Sequence, residues 1–230
     1  EVERLNMHLA QAKQGGGASG KQNAAQSKAS TNKVYIVCTK EQLDENSSLM
    51  IFSLIDKLSA ELSVAKDIEQ KKSLLMRRAI AHSVLRDFEA AISDFTYYIS
   101  LDEKSSLAYW QRAVCQAEMD EFNRAEGKGI TNIHSAEADF SDAIRLSSNN
   151  AYIYYNRGNV HAGRNELSKA IDDYSIAIRI DSRLAEAYYN RGLARIKSGN
   201  KQAGIQDLSK AGELGLYDAY SVIKRINKAK

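Results

Sequence analysis

The pentapeptide YYNRG occurs at Tyr154–Gly158 and again at Tyr188–Gly192, and the two copies begin 34 residues apart. Two identical pentapeptides at that distance indicate either a repeated structural unit or two copies of a binding element. Self-similarity with a period of about 20 to 50 residues is the sequence signature of repeat architectures. The same step is therefore expected to recur in the rest of the chain.

The alignment divides the middle of the chain into four predicted repeats. Three have 34 residues, and the second has 11 more. The repeats are 72–105, 106–150, 151–184 and 185–218. Positions 8 and 20 hold small residues in every repeat, which lets two helices approach closely (Ala79, Ala113, Gly158 and Gly192; Ala91, Ala136, Ala170 and Gly204). Position 24 holds large residues that fill the space beside them (Phe95, Phe140, Tyr174 and Leu208).

These columns resemble the tetratricopeptide repeat (TPR) family, whose pattern has large, small, small, aromatic and small residues at positions 4, 8, 20, 24 and 27. The resemblance covers residues 72–218 and lacks the family's usual proline at position 32. It implies an all-α fold, a right-handed α-solenoid of about four helix-turn-helix units with flanking helices. The segment 219–230 is predicted to be the capping helix that covers the last core face.

Two charged columns support the same register. Position 7 is arginine and position 23 is aspartate in every repeat (Arg78, Arg112, Arg157 and Arg191; Asp94, Asp139, Asp173 and Asp207). The two positions lie at similar heights on paired helices, and arginine can bind a carboxylate through two parallel hydrogen bonds. The sequence therefore predicts a structural ladder of ion pairs.

The resemblance also implies a binding groove lined by the first helix of each repeat, through positions 2, 5, 6, 9, 12 and 13. From positions 2, 5 and 6 we predict a peptide-binding set of aromatic, amide and basic side chains (Arg77, Trp110, Gln111, Tyr152, Tyr155, Asn156, Tyr189 and Asn190). Asparagine can pair with the backbone of a ligand whatever its sequence, and aromatic side chains bury a partner's side chains at low entropic cost. The alternative is that Tyr155 and Tyr189 only pack between neighbouring repeats.

Family members that clamp a C-terminal carboxylate combine asparagines with lysines. Asn156 and Asn190 match the asparagine of that clamp at position 6, but positions 2 and 5 hold tyrosines and Glu186 rather than lysines. The resemblance therefore favours an asparagine column that holds a peptide backbone, with Gln111 as a third member.

The 11 extra residues of the second repeat are predicted to form a protruding hairpin. The first helix of that repeat is expected to end near Ala125, before a turn containing Gly127 and Gly129. The sequence does not decide whether the insertion has a role in binding or is tolerated without a function.

Before the repeats, residues 1–33 are predicted to form a helix and a flexible low-complexity linker, and residues 34–71 a short strand (34–39) and an amphipathic helix (46–65). The chain begins with Glu1, so a truncated or processed start is expected. The sequence does not decide whether the protein belongs to the bacterial cytoplasm or to the cell envelope or periplasm.

Composition and motifs indicate no enzyme. The net charge of +3 is too small to point to a nucleic-acid partner, and no apolar run suggests membrane insertion. We expect no catalytic residues, no metal site and no cofactor, because the histidines and the two cysteines lack ligand spacing.

The sequence therefore predicts a protein-protein interaction module, an adaptor or scaffold that binds a partner protein or peptide in the concave groove. The alternative is a structural spacer or oligomerisation module attached to an upstream catalytic or cell-envelope domain, and self-association is left open.

Overall fold

The computed structural model describes residues 43–127 and 133–228, and every regular element within them is an α-helix. In chain order the helices are α1 (Glu45–Val64), α2 (Ile68–Val84), α3 (Phe88–Leu101), α4 (Ser106–Ala125), α5 (Ile133–Leu146), α6 (Ala151–Gly163), α7 (Leu167–Ile180), α8 (Ala185–Lys197), α9 (Lys201–Glu213) and α10 (Asp218–Lys228). The N-terminal helix, linker and strand predicted within residues 1–39 lie outside the described residues. The amphipathic helix predicted over 46–65 is α1.

The chain divides into two compact units. The N-terminal unit comprises the described parts of Glu1–Glu103 and Glu118–Gly129, and the C-terminal unit those of Lys104–Ala117 and Ile130–Lys230. In the first, α2 packs against α1 and α3; in the second, α6 packs against α7 and α8 against α9. Each pair is joined by a three-residue turn, the short connection of an antiparallel helix pair.

Several helices begin at a polar residue that caps them. The carboxylates of Asp44, Asp67 and Asp87 accept hydrogen bonds from backbone N–H groups three residues further along the chain, at 2.7, 2.8 and 3.2 Å. Asn200 caps α9 in the same way, at 3.2 Å from the nitrogen of Ala203. Each cap satisfies a donor that the helix leaves unpaired, which fixes the point at which the helix begins.

The turns inside three helix pairs share one backbone conformation. Their middle residues, Arg86, Asn165 and Gly199, have φ angles of 62°, 64° and 96°. All three occupy position 15 of their predicted repeat. This left-handed conformation reverses the chain within three residues, and it favours glycine or asparagine over other residues.

The small residues of the repeat stand where helices meet. A Cβ atom added to Gly158 would lie 2.7 Å from the ring of Tyr174 on the facing helix α7. A Cβ on Gly192 would lie 2.9 Å from the carbonyl oxygen of Gly204. The close approach of α6 to α7 and of α8 to α9 therefore depends on these glycines.

The structure confirms the predicted arginine–aspartate ladder in all four repeats. In each pair Nε and Nη2 of the arginine donate to the two carboxylate oxygens at 2.7–2.9 Å, which joins the two helices of the repeat (Arg78–Asp94, Arg112–Asp139, Arg157–Asp173 and Arg191–Asp207). Nη1 of Arg191 also donates to Ser175 of α7, at 3.0 Å. Arg191 therefore connects α8 to both α7 and α9.

The last helix covers the end of the C-terminal unit. Ala219 and Val222 of α10 are buried against Leu208 and Ala211 of α9. Helix α4 of the second repeat ends at Ala125, the residue near which its end was expected, and residues 128–132 of the insertion lie outside the described residues.

Candidate functional site

Helices α6 and α8, the first helices of the third and fourth repeats, are in contact within the C-terminal unit. They carry five of the eight residues that the sequence predicts for the groove (Tyr152, Tyr155, Asn156, Tyr189 and Asn190). Of these, the structure brings Tyr155 and Asn190 into direct contact. The Nδ2 atom of Asn190 donates a hydrogen bond to Oη of Tyr155 at 3.2 Å.

This contact belongs to a network centred on Asn159. Its Oδ1 atom accepts a hydrogen bond from Nδ2 of Asn190 at 2.9 Å and another from Oη of Tyr174 at 2.8 Å. The rings of Tyr155 and Tyr174 lie with their centroids 6.0 Å apart and tilted by 45°. Three helices, α6, α7 and α8, therefore hold two amides and two phenols in one arrangement.

The two phenols of the network are neutral hydrogen-bonding groups. Burial raises the pKa of Tyr155 above its ordinary value; the nearby charge of Glu186 adds to this, and hydrogen bonding to Asn159 opposes it. Burial also raises the pKa of Tyr174, and the neighbouring Tyr155 and Asp173 act in the same direction. Neither hydroxyl releases a proton near neutral pH, so the network can orient a ligand but is poorly suited to proton transfer.

A cavity of about 220 Å³ opens beside this network. Its lining comes from α6, α7 and α8 (Asn159, Ala162, Leu167, Tyr174, Asn190, Leu193, Ala194 and Lys197). Leu167, Leu193 and the two alanines supply apolar surface, and the two asparagines supply amides. Leu193 is 38% exposed, which is high for a leucine on a packed helix. The arrangement is that of a small binding pocket with an apolar wall and a polar edge.

The sequence prediction did not include Asn159, Leu193 and Lys197. Asn159 and Leu193 stand at position 9 of the third and fourth repeats, and Lys197 at position 13 of the fourth. Both positions belong to the groove that the family resemblance implies, but the predicted set includes only positions 2, 5 and 6. The signal was present in the sequence and would have found all three.

The other residues predicted for the groove do not line this cavity. Trp110 and Gln111 of α4 are only 5% and 3% exposed, so little of either side chain is left for a ligand to contact. Arg77 is half-buried on α2 in the N-terminal unit. Tyr189 packs against the core cluster around Leu208.

Tyr152 and Asn156 are half-buried on α6. Tyr155 packs beside Tyr174 and Ala194, so it does fill the space between neighbouring repeats as the alternative reading expected. It also takes part in the polar network.

No group of three or more metal-ligating side chains occurs among the described residues. The buried His161 faces Glu166 through Nδ1 at 2.8 Å, and His82 faces Asp87 at 3.1 Å, so both histidines have partners within their own helix pair. Cys115 is a buried thiol. Over the same part of the chain, no helix is both long and apolar enough to cross a membrane.

Two family models match the chain. One, described as a TPR repeat, covers residues 163–199, and another, described as a tetratricopeptide repeat, covers residues 185–214. The matched residues include the second YYNRG copy, helices α7 to α9 and part of the cavity lining. Residues 163–214 therefore carry tetratricopeptide repeats. None of the curated protein sequences compared with it matches.

Solved structures of TPR proteins show the same fold. A crystal structure of MamA aligns with a TM-score of 0.61 and 23% identity, over 78% of this chain and 99% of that one. YrrB, described as a TPR protein with an unusual peptide-binding site, aligns with a TM-score of 0.58 and 14% identity, over 78% and 89%. A MamA fragment from Desulfovibrio magneticus RS-1 aligns with a TM-score of 0.55 and 14% identity, over 73% and 94%. At these identities the likeness concerns the fold, which is an all-α solenoid.

Proposed function

We propose that this chain is a non-enzymatic interaction module that holds a peptide segment of a partner protein on the face formed by α6 and α8. The observation that carries the proposal is the cavity beside the network of Asn159, Asn190 and the two tyrosines. It combines apolar surface with fixed amides, the combination that recognises a side chain and a neighbouring backbone group together.

The fixed amides can form hydrogen bonds with the backbone of a ligand. Both hydrogen bonds that Asn190 makes within the described chain are donated by Nδ2, so its Oδ1 atom can accept a backbone N–H. Asn156, one helical turn before the cavity residues on α6, is half-buried and offers a further amide. Because tertiary contacts already hold Asn190 in place, binding costs little further side-chain entropy. The peptide-binding site named for YrrB is consistent with this use of the fold.

The proposal is tested by selecting peptides from a random display library with this chain, then measuring their affinity by fluorescence anisotropy. Leu193→Glu places a charge in the apolar wall, and we expect it to weaken binding at least tenfold. The loss of buried apolar contact and the desolvation of the carboxylate both act in this direction. The melting temperature should change little, because Leu193 is partly exposed.

Tyr217→Glu is the matched control, since it introduces the same charge at an apolar residue that is 73% exposed and does not line the cavity. Equal affinity of wild type and Leu193→Glu would contradict the proposal. If no peptide is selected and light scattering shows a stable oligomer, the alternative of an oligomerisation module is favoured instead.

A further inference from the structure

The cavity has the size of a single side chain. A cavity of roughly 150 Å³ admits benzene, whereas sites for cofactors and drug-sized ligands have about 300–1,000 Å³. At about 220 Å³ the cavity between α6, α7 and α8 lies between these values. It can therefore receive one large side chain.

The wall of the cavity selects an apolar side chain. Leu167, Leu193, Ala162 and Ala194 line it, and the phenol of Tyr174 is already engaged by Asn159. A leucine or phenylalanine side chain would remove this apolar surface from water, which favours binding by roughly 25 cal/mol per Å². A charged side chain would be desolvated against this apolar wall.

One lining residue carries a full charge. Lys197 stands one helical turn after Leu193 on α8, at the exposed edge of the cavity. Among the described residues no carboxylate lies within ion-pair distance of its ammonium group. Lys197 also lies in the last turn of α8, where a cation complements the helix dipole, and this role leaves the ammonium free to pair with a ligand.

We propose that this site recognises a peptide in which a large apolar residue is accompanied by an acidic residue. The apolar side chain enters the cavity and the carboxylate pairs with Lys197. The inference rests on the proposed function and specifies its ligand: an acidic–apolar segment of a partner protein.

The experiment is a charge exchange on an array of capped peptides. Each peptide has leucine, phenylalanine or, for comparison, alanine at a fixed central position, and aspartate, asparagine or lysine is placed in turn at each of the three positions on either side. Capped termini remove the terminal charges, so only the side-chain carboxylate can pair with Lys197. Binding is measured for the wild type, for Lys197→Glu and for Arg179→Glu, an exposed basic residue of α7 that does not line the cavity.

For the wild type we expect aspartate to be preferred over asparagine by roughly threefold, because an exposed ion pair contributes modestly. Alanine at the central position should lower affinity at least tenfold. In Lys197→Glu the preference should reverse so that lysine replaces aspartate as the favoured neighbour, while Arg179→Glu keeps the wild-type preference.

A preference for aspartate that persists in Lys197→Glu overturns the inference, and so does binding that tolerates a central alanine. In either case peptides still bind, so the proposed function stands. If no peptide in the array binds and the display selection also fails, the proposed function fails with it.

Discussion

The arginine–aspartate pairs are the contacts in which a single residue matters most. Asp173 is 4% exposed, and Arg157 binds both of its carboxylate oxygens while its own side chain reaches the surface. The guanidinium also lies 5.7 Å from the ring of Tyr154. Hydrogen bonding to Asp173 raises the pKa of Arg157 further above its already high value, so the guanidinium carries its charge at neutral pH.

Arg157→Ala is expected to lower the free energy of unfolding by about 3 kcal/mol, because it leaves a buried carboxylate without its cation. Chemical denaturation measures this change. Arg145→Ala is the control, since its pair with Asp142 is mostly exposed and should contribute less than about 1 kcal/mol. Similar losses for the two variants would show that the buried ladder has no special role in stability.

At the scale of the elements, the turns between paired helices decide where each helix ends. Gly199 has a φ of 96°, and a Cβ added to it would meet no atom within 4 Å. Gly163, the last residue of α6, also has open space around it but has no positive φ. The two glycines therefore differ in backbone conformation but not in the space around them. Substituting each by alanine isolates the effect of the backbone conformation.

Gly199→Ala should lower the free energy of unfolding by about 1 kcal/mol, because alanine is strained at positive φ. Gly163→Ala should raise it by roughly 0.5 kcal/mol, because alanine has the higher helix propensity. Thermal unfolding of the two variants checks both signs. Stabilisation by Gly199→Ala would mean that the turn is not left-handed in solution.

At the scale of the whole molecule, each unit must cover the last apolar face of its helices. In the C-terminal unit α10 does this through Ala219 and Val222. These two small apolar side chains cover the face of α9 that carries Leu208 and Ala211.

Val222→Asp is expected to destabilise the C-terminal unit by about 3 kcal/mol, since it buries an unpaired carboxylate against Leu208. Ser221→Asp, on the exposed face of α10, should leave stability almost unchanged. Hydrogen exchange measures the effect on each helix. In Val222→Asp, the backbone amides of α9 and α10 should lose protection from exchange. Unchanged protection there would show that α10 does not act as the cap.

Much of the fold could be predicted because the same contacts between helices recur in each repeat. The small residues at positions 8 and 20 and the charged residues at 7 and 23 recur at one spacing, so their partners follow from the register alone. The binding residues recur less regularly, and Trp110 and Gln111 show the consequence. They share columns with Tyr155 and Asn156, yet in α4 both side chains are almost fully buried.

The sequence by itself determined the all-α fold, the register of the helix pairs and the arginine–aspartate ladder, because these depend on local periodicity and on contacts within one repeat. The tertiary structure alone decided that Asn159 is the centre of the polar network and that the cavity opens beside Leu193 and Lys197. Asn159 and Asn190 occupy different positions of successive repeats and meet only because α6 and α8 lie side by side. Periodicity indicates which face a residue occupies, but the rotation and spacing of two packed helices determine which residues on those faces come within hydrogen-bonding distance.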